Sequence, residues 1–371
     1  MNLARLLAIS RKEVIQLKRD PRSLLLAFAL PMALLLFFGY AIAYDVKNIS
    51  TAVLDQSNTP QSRDLIESFE RSGYFTIVRY LSHYSDVDRV LGRGIARTAL
   101  VIPPSFGGDV AAGRRAPLQL LLDGSDANTA TIAKNYAEAI VARYSVDALS
   151  SGRPITAPVT AQSRVWYNET LESRNMVVPG LIAVIMSIIS AMLTALTIAR
   201  EWERGTMEQL AATPVHRIEV TLGKLLPYIG IGLVDVALAG LAGVIILGVP
   251  FRGSIALLFA MTFLFLVGAL GLGIFISAAL KTQVLATQVS ILVTFLPALI
   301  LSGFIFEIAT MPIVLRAITH VIPARYFVTV TRGIFLKGVG TETLWAEALA
   351  MIIFASVGLF LATSIFKKEI A

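Results

Sequence analysis

The chain has 371 residues, of which 56% are hydrophobic and only 15% charged, with no cysteine and a mean hydropathy of +0.72. A soluble globular domain carries nearer ~25% charge, so a membrane protein is indicated, and the absence of thiols excludes disulfides, thiolate metal sites and cysteine nucleophiles. The formal net charge of +7 does not describe a nucleic-acid patch, because residues 45–175 hold fourteen Lys/Arg and fourteen Asp/Glu, and the excess lies beside apolar runs instead.

The chain opens with a basic leader containing Arg5, Arg11, Lys12, Lys18, Arg19 and Arg22. Leu3, Leu6, Leu7, Val14 and Leu17 recur at helical spacing, with most of the cations off that stripe. An amphipathic helix lying in the membrane interface is expected. Ala41-Ile42-Ala43 resembles a cleavage site, yet the apolar run from Leu24 exceeds the ~7–15-residue core of a signal peptide, so an uncleaved anchor is expected.

Six apolar runs reach the ~20 residues that a helix needs to cross a bilayer: 24–44, 177–198, 225–249, 255–280, 284–306 and 344–366. An even number puts both termini on one side. Arg200, Arg204, Arg217, Lys224, Lys281, Lys367 and Lys368 join the leader in marking that side as cytoplasmic, against Arg316, Arg325, Arg332 and Lys337 opposite. The third and fourth runs are joined by a short turn around Pro250 and Gly253, which predicts an antiparallel hairpin.

Between the first two runs, residues 45–175 form a polar region large enough for a modest core. Strand-like 50–54, 75–80, 97–102 and 118–122 alternate with helix-like 61–71, 85–92, a short helix after Pro104 and a long one over 128–149. This alternation reads as α/β layers. Pro154 and Pro158 mark an extended return, and inside termini place the region outside the cytoplasm.

Residues 199–215, AREWERGTMEQLAATPV, are a charged island too polar to span and too short to be a domain. Thr206 and Gln209 stand three apart as in a capping box, so a helix is expected to start near Met207, and Pro214 stops it after about two turns. A short charged helix at the membrane surface suits the transmission of force from a partner.

Asp235 lies about ten residues into the third run, where a charge costs on the order of 3 kcal/mol, so it marks a pathway, a partner, a proton site or a packing lock. Thr194, Thr287 and Thr294 are further candidates to line a pathway. Ala191/Ala195 and Ala269/Gly273 are small pairs that permit close helix approach. Residues 307–340 carry Pro312 and Pro323 and alternate apolar runs with arginines; such backbone survives at membrane depth when buried in protein or lining a cavity. No phosphate-loop pattern occurs, His83, His216 and His320 are far apart, and Asp86/Asp88 and Asp123/Asp126 read as turn and cap residues.

Arg200, Glu201, Glu203, Arg204, Gly205, Thr206, Glu208, Gln209, Leu210, Thr213 and Pro214, together with LSGFIFEIATMP (301–312) and IPARYFVTVTRGIFLKG (322–338), carry a resemblance. The chain resembles ABC type-2 exporter permeases, the membrane subunits of ATP-driven efflux pumps, of the multidrug type with a large extracytoplasmic domain. The resemblance implies that the charged island is a coupling helix docking on a cytoplasmic ATPase subunit, and that ATP and Mg are bound by that partner and not by this chain. It implies a second permease copy or paralogue, and short helices within 307–340 that dip into the outer leaflet beside Glu307 at an exit gate.

The expected architecture is a polytopic α-helical membrane protein with six transmembrane helices, an N-terminal interfacial helix and an α/β extracytoplasmic domain. Its parts are 1–44, 45–175 and 176–371, the last containing the coupling helix at 199–215 and a re-entrant segment at 307–340. The expected function is export of hydrophobic or amphiphilic molecules across a bacterial inner membrane, with a periplasmic adaptor as a further partner of the outer domain. Two rivals stand beside it: a proton-coupled carrier centred on Asp235, and a membrane-anchored sensor or assembly protein.

Overall fold

A computed structural model describes residues 2–41, 48–125, 127–149, 167–168, 172–206, 213 and 215–365. Contacts divide the chain into two units, one of residues 1–43 with 165–371 and one of residues 44–164. Among the described residues, 167–168 and 172–175 therefore go with the helices and not with the polar region. The Asn175 amide donates to Asn168 Oδ1 at 2.8 Å, drawing the start of the next long helix onto that segment.

The polar unit is a four-stranded sheet in the order β2-β1-β3-β4, with β1 (Ile49–Asp55), β2 (Phe75–Tyr80), β3 (Thr98–Ile102) and β4 (Gln119–Leu122). β1 runs parallel to β2 and β3, and β4 runs antiparallel to β3. The alternation of strand side chains sorts Val53, Leu100 and Ile102 onto one face. There they meet Leu65 and Phe69 of the helix Pro60–Arg71 and Ala133 and Ala137 of the helix Ala127–Leu149. Ala52, Leu54 and Ala99 face the other way, onto Val87 and Val90 of the helix Ser85–Gly92.

The helical unit begins with α1 (Leu3–Lys18) and α2 (Pro21–Ala41). The four helices of the polar unit take the labels α3 to α6 in chain order, the short α5 being Phe106–Ala111. Then follow α7 (Ser173–Glu203), α8 (Arg217–Ile245), α9 (Ile255–Leu280), α10 (Gln283–Ser290), α11 (Leu296–Leu301), α12 (Ile313–Thr319), α13 (Pro323–Arg332) and α14 (Trp345–Ser364). Two π-helical turns, Ile291–Phe295 and Gly333–Lys337, follow α10 and α13. Five helices are long and apolar enough to cross a membrane among the described residues: α7, α8, α9, α14 and the continuous Gln283–Leu301. The 21-residue α2 adds an apolar stretch at Ala27–Ala41, and Ile313–Thr319 meets Pro323–Lys337 at 78°, as in a broken span or a re-entrant loop.

α7 is the axis of this unit, buried along most of its length and packed on α2, α8, α9, α10 and α13. Its seam with α9 is drawn tight by small residues. Ser277 Oγ accepts from the backbone N–H of Ile198 and Ala199 at 3.1 and 2.8 Å and donates to the Ala195 carbonyl.

Candidate functional site

α7 does not end with its apolar run at Ile198, as hydropathy alone suggests, but continues helically through Arg200, Glu201, Trp202 and Glu203. The stop is a Schellman turn: Gly205 takes the left-handed conformation at φ 65°, its N–H donates to the Trp202 carbonyl, and the Thr206 N–H donates to the Glu201 carbonyl at 3.0 Å. The first residues of the charged island are therefore the last turn of a long helix. The helix expected from Met207, with Glu208 and Gln209 on it, lies outside the described residues.

The charged side chains at this helix end differ in how they are held. Arg200 Nη1 lies 3.3 Å from Asp20 Oδ2, in the turn between α1 and α2. The Glu203 carboxylate accepts both the backbone N–H (2.7 Å) and the side-chain amide of Gln283, and so caps the start of α10 from outside it. Arg204 is exposed and makes no ion pair among the described residues.

Glu201 has the most consequential surroundings. Its Oε1 receives the ammonium of Lys224 at 3.0 Å and that of Lys12 at 2.9 Å, and Lys224 also reaches Glu13 Oε1 at 2.7 Å. Lys224 is 1% exposed, Glu13 3% and Glu201 6%, so three helices meet in a buried chain of alternating charge, with Lys12 at its wet end. α1 supplies Glu13 and Lys12, α8 supplies Lys224 and α7 supplies Glu201. The close approach is set at Gly223, where a methyl group would stand 2.9 Å from Ile9 Cβ. Glu219 adds a further stitch, accepting from the N–H of His216 at 3.0 Å and from that of Asn2.

Two opposite pairs make this cluster neutral overall. Buried ion pairs of this kind lose about as much in desolvation as they gain in attraction, but removing one partner strands a charge. The arrangement therefore fixes register among three helices more than it adds stability. Glu13 and Lys224 are absent from the sequence-derived candidates. The apolar stripe of α1 also divides, with Leu6 and Leu17 buried beside Glu13 while Leu3, Leu7 and Val14 stay exposed.

The pathway candidates are dispersed. Thr194 is buried, donates to the Ser190 carbonyl at 2.9 Å and sits so tightly on Gly273 that a Cβ there would meet its Oγ1 at 2.0 Å. That places it in the α7–α9 seam. Thr287 donates to the Gln283 carbonyl. Thr294 donates to the Ser290 carbonyl and, with Ser187, Phe265, Pro297, Pro323 and Phe354, lines a cavity of about 50 Å³. Glu307 is exposed, and its backbone carbonyl accepts from Thr310. Asp235 is 2% exposed, and its Oδ2 has no hydrogen-bond partner among the described residues.

Five apolar helices of spanning length, α7 the most buried of them and tied at one end into a charged cluster, are the frame of a polytopic membrane protein. Residues 21–364 match the sequence profile of the ABC-2 family transporter proteins. The chain belongs to this family. It is 37% identical to the probable multidrug ABC transporter permease YbhS of Escherichia coli, over 98% of this chain and 97% of that one. It is 29% identical to the probable multidrug ABC transporter permease YbhR of the same organism over 99% of both chains, and 27% identical to its inner membrane transport permease YhhJ over 86% of this chain. The protein is thus a permease subunit of an ABC exporter, a multi-pass membrane protein whose role is transport.

Proposed function

We propose that this permease receives work from a separate ATPase subunit through the end of α7 and the segment that follows it. The observation that carries the reading is the shared carboxylate of Glu201, bonded to Lys224 and Lys12 immediately before the Schellman turn. A push on residues 200–209 would reach α1 and α8 through that carboxylate without any change in the apolar core. Arg204, exposed and unpaired among the described residues, and Glu208 and Gln209 beyond it are the side chains offered to the ATPase. Glu201, Glu203, Gly205 and Thr206 hold the turn that presents them. ATP and Mg would sit on the partner chain.

The pump would use two permease copies, identical or paralogous, in a bacterial inner membrane, with both termini cytoplasmic and residues 45–175 outside. The multidrug names of the relatives and the apolar character of the spans favour hydrophobic or amphiphilic cargo. The size of the polar unit favours a contact with a periplasmic adaptor, and a deletion of residues 45–164 that left efflux unchanged would remove that role.

The test is reconstitution of the permease with its ATPase, measuring ATP hydrolysis and ATP-driven efflux of a lipophilic cationic dye. Arg204→Ala alone should uncouple the two activities. Glu203→Ala/Arg204→Ala should uncouple them further, since it also uncaps α10. Dye movement driven by a pH gradient in vesicles without ATPase, unaffected by either variant, would favour instead a proton-coupled carrier built on the buried Asp235. Asp235→Asn would then abolish transport.

A further inference from the structure

At the end of α7 remote from Glu201, one side chain gathers three carbonyls from two separate pieces of backbone. Arg332, the last residue of α13, donates from Nε to the Met176 carbonyl at 3.1 Å, from Nη1 to the Gly303 carbonyl at 3.0 Å and from Nη2 to the Phe304 carbonyl at 3.1 Å. Met176 belongs to the first turn of α7. Gly303 and Phe304 form a non-helical turn after α11, with Gly303 left-handed at φ 81°. Only a planar fork of several N–H groups can reach three carbonyls in fixed directions; a lysine ammonium cannot reproduce it.

The surroundings are shaped for this contact. Gly180 lies one turn along α7 from Met176, and a methyl group there would stand 2.7 Å from Phe304 Cδ2 and 3.1 Å from Arg332 Nη2. Beyond Phe304 the chain forms an arm, residues 305–322, that carries its own bonds. Within it Arg316 donates to the carbonyls of Ala309 and Met311, and from α13 Arg325 donates to Thr319 Oγ1 at 2.6 Å. The arm's far end is also held by Tyr326, which donates to the His320 carbonyl at 2.9 Å, while Ile313 is 81% and Val321 80% exposed. Arg332 therefore fastens the root of an internally braced arm to the axis of the bundle.

Both approaches to this root contain a π turn. One, Ile291–Phe295, lies on the strand of chain leading to Gly303; the other, Gly333–Lys337, begins at the residue after Arg332. A π turn holds an extra residue relative to the α-helical ladder and is frequent at functional sites. Passing that residue along the helix rotates what lies beyond it. The partners of Arg332 on α7 and in the turn are neutral carbonyls, so parting from them strands no anion there.

We propose that Arg332 is a positioning residue acting as a releasable clasp. It holds the root of the 305–322 arm on the first turn of α7 in the resting permease, and it lets go during the transport cycle as the two π turns shift. The clasp itself stands on geometry independent of the coupling reading; its release by nucleotide rests on that reading.

The chain contains no cysteine, so Gly180→Cys/Phe304→Cys reports on the clasp directly. In the resting permease–ATPase complex in vesicles the pair should oxidise readily. Adding Arg332→Lys should slow oxidation about fivefold or more, the scale set by losing charged hydrogen bonds, with the melting temperature little changed. ATP with vanadate should slow oxidation of the pair similarly when Arg332 is present and have little further effect when it is lysine. Oxidation should arrest dye efflux, and dithiothreitol should restore it.

Equal oxidation rates with arginine and lysine at 332 would overturn the clasp. If permease-stimulated ATP hydrolysis is intact while nucleotide leaves the oxidation rate unchanged, Arg332 is a static strut and release is overturned. Should hydrolysis be uncoupled from the permease altogether, the coupling reading fails, and the arginine–lysine comparison still decides the clasp. Gly180→Ala, whose methyl group would crowd both Phe304 and the guanidinium, provides a second variant. It should lower efflux in the same direction, and a native rate would count against the clasp.

Discussion

At Glu201 the helix α7 is held by side chains against side chains, two ammonium groups on one carboxylate and a second carboxylate behind them. At Met176, about 37 Å away along the axis at 1.5 Å per residue, it is held by one guanidinium on backbone carbonyls. The first arrangement is closed and neutral, and it fails if any member is lost. The second can open, because the carbonyls it grips are neutral, and parting from them leaves no buried carboxylate without its cation. A machine that transmits at one end and rearranges at the other needs this division, stiff where force enters and detachable where the chain must move.

The largest expected effect tests the stiff end. Lys224→Ala leaves Glu13 and Glu201 buried without their shared cation and should cost about 3–5 kcal/mol, seen as a lower melting temperature of the detergent-solubilised permease. The neutral triple Glu13→Gln/Lys224→Met/Glu201→Gln should recover most of that stability while ATP hydrolysis stays uncoupled from efflux. A triple variant that recovers both would make the cluster a mere packing feature.

Arg332→Ala should cost less, about 1–3 kcal/mol, since its carbonyl partners are neutral, and its main effect should fall on efflux. If it lowers the melting temperature more than Lys224→Ala does, the contrast between the two ends is reversed. The smallest effect is expected between them. Ser277→Ala removes one hydroxyl from the α7–α9 seam and should cost about 1 kcal/mol, measurable as faster hydrogen exchange at Ile198 and Ala199.

Much of the framework was readable from residue pattern alone, for definite reasons. The strands and helices of the polar unit fall within two residues of the positions that period-2 and period-3.6 alternation indicate, because each element there has one face to bury. Spanning segments are legible through sheer apolar length. Their ends are not: α7 outruns its apolar stretch because Arg200, Glu201 and Glu203 each find a partner elsewhere in the chain, and α8 stops at Ile245, with Gly248 turned left-handed just beyond. Such partners are distant in sequence, so hydropathy cannot register them.

The same holds for the charged cluster. Glu13 is the one acid among the first nineteen residues and shares a helical face with Leu6 and Leu17, which in retrospect is the signal of a buried carboxylate. Lys224, set among apolar neighbours early in α8, is its complement. Neither residue alone distinguishes a buried pair from a snorkelling charge; only the packing of α1 on α8 does so. Arg332 was visible as a cation in a proline-punctuated segment, but its carbonyl partners leave no trace in side-chain pattern.

The hydroxyl of Ser277 has one more implication. Because it is bonded into the backbone of α7 at three points, the two helices cannot bend independently where they meet, and the 31-residue α7 is stiffened along its lower part. At 1.5 Å per residue that helix is a lever arm about 46 Å long, so a tilt of only ~5° about one end carries the other through roughly 4 Å. A displacement of that size exceeds the reach of a hydrogen bond, and a modest rocking at the charged end would by itself be enough to pull Met176 away from the arginine that grips it.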